Sequence, residues 1–268
     1  MNRWFGPLTV AGFALSTLAC SQPAPPEKYP SVDSWAQGMA EAECAGVAGV
    51  CGVAETKCQA TRKGYWLDWS TKLGANRKYT SSLAEACIGG WRAAHADGKL
   101  LPQEVDTTSV SSAITQCHRT FVGTVKENDP CASDFECAAQ THICDEVGAA
   151  MGGAPKVCAL RAEKAVDKGC ANAGDTCIKG SFCGSKNALP ICLARKAKGE
   201  ACDDKSLCLE DLRCDTTCKE RAAQGSDCAA DVECQSSAPF CLQAAMGKKC
   251  FTQISFAPGA TSCTPYGG

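Results

Sequence analysis

The sequence contains no Cys-x-x-Cys pair, although cysteine is abundant at 23 of 268 residues. Zinc ribbons, thioredoxin-like redox sites and c-type haem attachment use that spacing to bring two sulfurs to one centre, so each loses its usual geometry here. Histidine is scarce: His95, His118 and His142 form no His-x3-5-His pair. No segment reaches the ~18 consecutive apolar residues of a membrane-spanning helix. There is no basic block, and the formal net charge is -2, which gives no support for nucleic acid as a partner or for attraction to anionic lipid. Nucleophile elbow, phosphate loop, dinucleotide fingerprint and His-Glu-x-x-His helix are all missing from the sequence. These absences remove the readily recognised enzymes, and no cofactor or metal is expected.

Thiols at this density, without metal spacing, persist as disulfides only in an oxidising compartment. The N-terminus points the same way. Met1 to Ala19 carries one charge, Arg3, followed by the apolar run LTVAGFALSTLA. That run suits a signal-peptide core and is too short to span a bilayer. It stops at Ser16-Thr17-Leu18-Ala19-Cys20, similar to a bacterial lipobox, with Leu18 two residues before the cysteine where three is commoner. Ordinary cleavage after Ala19 is the alternative. Parity favours lipid on Cys20, because the other 22 cysteines can then pair completely. A diacylglyceryl group with an acylated amine supplies several buried chains, where one chain is marginal. Loss of Arg3 leaves 26 basic against 29 acidic residues, about -3 in the mature chain.

After the signal peptide at 1–19, the segment 20–30 includes SQPAPPEKYP, four prolines without apolar periodicity, and reads as an extended tether. Residues 31–125 have helical texture. Trp35, Met39 and Ala42 recur at i, i+4, i+7, with Ser34 and Gln37 as a capping box. A second helix is expected from Ser82 and Glu85 through Leu83, Cys87, Ile88 and Trp91, ending near Gly98, and a third over Asp106 to Phe121. Shorter helical turns are expected around Ala54 to Arg62. Trp35, Trp66, Trp69 and Trp91 all fall in this region, which is long enough to bury a core, stapled by Cys44, Cys51, Cys58, Cys87 and Cys117.

From residue 126 to 268 the tryptophans vanish and seventeen cysteines appear. They group as Cys131, Cys137, Cys144, Cys158; Cys170, Cys177, Cys183, Cys192; Cys202, Cys208, Cys214, Cys218; and Cys228, Cys234, Cys241, Cys250, with Cys263 left over. The groups (131–158, 170–192, 202–218, 228–250) start 39, 32 and 26 residues apart, the variable loop always lying between third and fourth cysteines. Two motifs recur. Cys-x2-Arg-x3-Gly-x2-Cys runs from Cys192 to Cys202 and from Cys218 to Cys228; CASDFEC and CAADVEC begin at Cys131 and Cys228. Units this short cannot enclose a sufficient core, and two disulfides each, worth roughly 2–4 kcal/mol apiece, supply the missing stability. Gly199 and Gly225 fit turns of positive φ, Asp134 and Asp231 fit Asx-turns, and Ile143, Phe182 and Phe240 are expected to pack on the disulfides. With four units paired internally and two bridges in the helical region, one helical cysteine remains to join Cys263. The expected fold is therefore a small α-helical, disulfide-stapled domain followed by a tandem array of small disulfide-rich modules of loops and short hairpins.

The array resembles the Dickkopf N-terminal cysteine-rich domain family, in the tandem form of myxobacterial and related deltaproteobacterial lipoproteins. The resemblance rests on CASDFEC, CAADVEC, the Phe-Cys pairs at Cys183 and Cys241 and the Gly-x2-Cys leads to Cys202 and Cys228; GWRAAHADGKLLPQEV, leading to Cys117, is similar to modules that accompany such repeats. The third unit departs from it at Lys205 and Arg213. The resemblance implies an extracellular binding character, which fits an envelope protein or glycan as partner, and Ser21 rather than Asp after Cys20 is compatible with sorting of the anchored chain to the outer membrane.

Three functional classes follow. The leading one is a non-catalytic exported lipoprotein whose loops bind partners. A second is a protease-inhibitor-like module using the loop Asp145 to Val157. A third is an enzyme seated in the helical domain, for which His95, Asp97, Glu104, Asp106 and His118 are the best acid-base cluster; against it, AHADG reads as a helix end with a turn. Calcium at Asp97-Gly98-Lys99 lacks the alternating oxygen ligands. The basic residues between units, Arg161, Lys164, Arg195, Lys196, Lys198, Lys219 and Arg221, read as solvated joints rather than an anion site.

Overall fold

The computed structural model describes residues 27–106, 112–146 and 155–268. The signal peptide, Cys20 and most of the tether lie outside these residues. Helices come first, then a series of two-stranded sheets. Helix α1, Val32–Cys51, is capped reciprocally by Ser31 and Ser34, one turn before the Ser34–Gln37 box expected from sequence, and stops at Gly52 with φ 68°. Where only short turns were expected, α2 runs for 17 residues from Glu55 to Thr71. Its apolar stripe is weak because Cys58, Arg62 and Trp66 form its buried face, with an arginine in the middle.

Helix α3, Ala84–His95, follows a 3-10 turn at Ser81–Leu83, and no side chain caps it, so the Ser82–Glu85 box is not formed. The long helix expected over Asp106 to Phe121 is also replaced. Short α4, Pro102–Val105, precedes an extended Asp106, and α5 spans only Ala113–Arg119 with Ser112 as its cap. Val110 lies outside the described residues. Phe121 belongs to strand β3, Phe121–Gly123, antiparallel to β1, Arg77–Tyr79. As a strand residue, Phe121 reaches Trp35 at 5.0 Å, Tyr79 at 5.5 Å and Trp69 at 5.7 Å. This aromatic packing outweighs local helix periodicity.

Each cysteine unit pairs first with third and second with fourth: Cys131–Cys144 and Cys137–Cys158, Cys170–Cys183 and Cys177–Cys192, Cys202–Cys214 and Cys208–Cys218, Cys228–Cys241 and Cys234–Cys250. Third and fourth cysteines face each other across a hairpin in all four units: β4–β5 (His142–Glu146, Lys156–Leu160), β8–β9 (Ser181–Lys186, Leu189–Ala194), β10–β11 (Leu212–Asp215, Thr217–Glu220) and β12–β13 (Phe240–Ala244, Gly247–Phe251), with parallel β6–β7 (Ala162–Lys164, Asp175–Cys177) between the first two hairpins. The backbone repeats as well. The residue three before each first cysteine has positive φ (Asn128, Asp167, Gly199, Gly225), and its N–H donates to the fourth cysteine's carbonyl at 2.7–2.8 Å. Asn and Asp tolerate this left-handed conformation nearly as Gly does, so one turn serves four different local sequences.

Inside CASDFEC and CAADVEC the acids hold the unit together. Asp134 and Asp231 accept from the amides of Cys144 and Cys241, ten residues on, at 2.8 and 2.6 Å. They are therefore not Asx-turns. Glu136 and Glu233 accept from Ala132 and Ala229, each at 2.8 Å. Unit 3 has Asp203 bonded to the Lys205 amide instead, yet keeps the same crossed bridges. Ile143 is buried, whereas Phe182 and Phe240 remain half-buried.

The residues after Cys250 return to the helices. Strand β14, Ile254–Ser255, pairs with β2, Lys99–Leu100, and Phe256, Cys263 and Tyr266 are buried in the same core as the tryptophans. Cys51–Cys263 closes this return, alongside Cys44–Cys58 and Cys87–Cys117. At the other end, unit 1 joins the core through β3. Both ends of the array are thus fixed to one helical core.

Candidate functional site

The residues singled out as an acid-base cluster are largely spent on structure. His95 is fully buried; its Nδ1 lies 2.9 Å from the Trp91 carbonyl and its Nε2 3.2 Å from the Tyr266 hydroxyl. Burial pushes its pKa down. Asp97 closes a turn on the Lys99 amide at 3.1 Å, and Glu104 accepts from the Leu101 amide at 2.7 Å. His118 sits elsewhere, stacked on Phe135 at 4.6 Å and edge-on to Trp69 at 5.1 Å. Burial, with Arg77 nearby, lowers it to about 4.

Sequence reading missed the polar centre of the core. Glu43, fully buried on α1, forms a two-pronged pair with Arg62 of α2 through Nε and, at 3.0 Å, Nη2, and accepts from Trp91 Nε1 at 2.5 Å. Burial opposes the charge on Arg62, but the bonds from Glu43 hold its pKa above the ordinary value. Its guanidinium lies over Tyr65 at 4.1 Å and Tyr266 at 4.9 Å. Burial raises the Tyr266 hydroxyl, and Glu43 adds to this. Both Glu43 oxygens and two of the three Arg62 nitrogens have partners from the chain itself, which makes the network an organiser of helices and tail.

The sulfurs of first, second and fourth cysteines lie within 4.8 Å of one another in every unit. These are two stacked bridges, and a metal ligand must be a thiolate. Four of the basic residues between units are paired: Lys164 with Asp175, Arg195 with Glu210, Lys198 with Glu220 and Lys219 with Asp215, at 2.7–3.2 Å. Of the loop Asp145 to Val157, residues 147–154 lie outside the described residues.

A groove of roughly 700 Å³ lies where unit 1 meets the helical core. Half-buried Val122 of β3 and Phe135 of the CASDFEC segment line it. Arg77 fixes this junction, lying over Phe135 at 5.2 Å and donating to the carbonyls of Phe121 (3.1 Å) and His118. Burial lowers Arg77 to about 10. Exposed Arg161 and Asp134 and half-buried Arg119 and His142 also line the groove. Arg161 carries a signal that sequence reading passed over: Cys158 and Arg161 repeat the Cys-x2-Arg of the later joints, hidden because five residues rather than three follow the arginine and Asp167 then replaces glycine. A second groove, of roughly 650 Å³, lies between the unit 4 hairpin and the returning tail.

No family model, curated protein or solved structure matches this chain. Among the described residues, no helix is long and apolar enough to cross a membrane.

Proposed function

We propose that this is an exported envelope lipoprotein, anchored through Cys20 in the outer membrane, and a non-catalytic scaffold of the Dickkopf-like repeat type that binds extracellular protein or glycan. The observation carrying the reading is the crossed pair of disulfides repeated in four units whose array is tied at both ends to one core. Such a framework holds surface loops with little entropy left to lose on binding. Exposed apolar side chains stand beside hairpin turns: Leu189 in unit 2 at 65% and Met246 in unit 4 at 85% exposure. Isolated apolar side chains this open are candidates for contact rather than for stability.

Two measurements test this. Protein purified from envelopes should carry acyl mass at its N-terminus and show no alkylatable thiol until reduction. Photo-crosslinkers at Leu189 and Met246 in intact cells should give discrete adducts that a crosslinker at the exposed Lys72 of α2 does not give. Free thiols in the native protein, or no acyl mass and no adduct, would sink the scaffold reading.

A further inference from the structure

Arginine follows the fourth cysteine by three positions in units 1 to 3, as Arg161, Arg195 and Arg221. In units 2 and 3 this arginine is structural. Arg195 donates to the carbonyls of Ser181 and Cys208 at 3.3 and 3.0 Å and pairs with Glu210, while Arg221 donates to Leu212 at 3.4 Å. Arg161, at the same repeat position, has no hydrogen bond or ion pair from its side chain among the described residues, and it lines the groove between unit 1 and the helical core. The repeat thus supplies a graded control: among the described residues the guanidinium has three partners at Arg195, one at Arg221 and none at Arg161.

The remaining charges of the lining do not neutralise it. His142 lies 3.6 Å from Glu127, and Asp134, still an anion with one oxygen on the Cys144 amide, forms no ion pair with Arg119 or Arg161 among the described residues. Arg119 uses one donor on Gln140 at 2.9 Å and keeps the rest of its fork. The groove therefore offers two guanidinium groups in one lining with the apolar side chains of Val122 and Phe135. Its walls are preset by Cys137–Cys158 on one side and the helical core on the other. Two guanidiniums on a protein of net charge -2 are too few for a nucleic-acid backbone, and guanidinium forks match carboxylates in a bidentate manner.

We infer that this groove binds an acidic segment of another protein, with a carboxylate held by Arg161 and Arg119 and a neighbouring aromatic or aliphatic side chain laid on Val122 and Phe135. The inference rests on the scaffold reading and adds its ligand class. The test uses the full mature, oxidised protein and blocked hexapeptides holding one Phe flanked by Asp, with twins carrying Asn or Lys instead, read by fluorescence polarisation. The Asp peptides should bind about tenfold or more tightly than the Asn twins, and the Lys twins should not bind. Arg161→Gln should weaken the Asp peptides about tenfold, while Arg213→Gln, an equal charge change on unit 3, leaves them unaltered. Equal binding of Asp and Asn twins, no binding of either, or wild-type binding by Arg161→Gln would overturn the assignment. If peptide binding fails while the crosslinks at Leu189 and Met246 persist, only the ligand class falls; if both fail, the scaffold reading falls with it.

Discussion

The two halves of this protein solve the same problem by different means. In the helical half, Trp35, Trp66, Trp91 and Phe121 meet at ring separations of 5.0–6.0 Å, and burial of aromatic surface does most of the stabilising. In the array, the buried cluster of unit 1 is Val125, Cys137 and Cys158, and that of unit 4 is Cys234, Ala238 and Cys250. These clusters are largely the disulfides themselves. One half is held by solvent exclusion and can tolerate polar centres if they are paired; the other is held by restricting its unfolded chain.

The largest expected separation of the halves comes from reduction. Full reduction under native conditions should abolish hydrogen-exchange protection at the hairpins Cys144–Cys158 and Cys241–Cys250 while α1 and α3 keep theirs. Equal loss in both halves would contradict the division. Within the helical half, Glu43→Gln strands the Arg62 charge and is expected to cost about 3–5 kcal/mol in urea unfolding. The double change to Met at 43 and 62 should recover much of this. Gly46→Ala ranks next. A Cβ there would lie 1.9 Å from the His95 carbonyl oxygen, so α1 and α3 must separate; a loss of roughly 3 kcal/mol is expected, at the upper end of overpacking costs.

A pH titration sharpens the comparison further. His118, lowered to about 4 by burial and Arg77, stays neutral in the folded protein where the unfolded chain takes up a proton. Stability should therefore fall as pH drops below the ordinary histidine value of ~6.5 and level off near 4. His118→Phe, which keeps a ring against Phe135, should flatten this part of the curve; an unchanged slope would show that other groups, His95 included, carry it. The smallest effect is expected in the array. Gly225→Ala places a side chain at φ 79° and should cost about 1 kcal/mol, whereas Asn128→Gly at the equivalent turn should be nearly neutral. Thermal unfolding of the two variants decides this.

The array was largely legible before any coordinates, because cysteine spacing is a short-range code. A gap of five or six residues before and after the second cysteine leaves room for one turn and one strand, and the hairpin then brings third and fourth cysteines face to face. The acids of CASDFEC and CAADVEC were visible as a pattern, but their partners ten residues away were not. The helical half was legible where an apolar stripe was strong, as in α1 and α3. It was misread in α2, where Arg62 interrupts the stripe, and at Phe121, where neighbouring rings impose a strand.

By itself the sequence determined the division into a tryptophan-bearing helical part and a tryptophan-free cysteine array, since composition and spacing act locally along the chain. Cysteine parity pointed a helical cysteine at Cys263; only the tertiary structure decided that it is Cys51, that Phe256 and Tyr266 are buried with it, that Glu43 and Arg62 meet, and that Arg161 lines a groove while Arg195 pairs with Glu210. Each of these joins segments with no pattern between them in the chain. What selects them is burial: a charge or a ring leaves water only where distant segments together supply its partners.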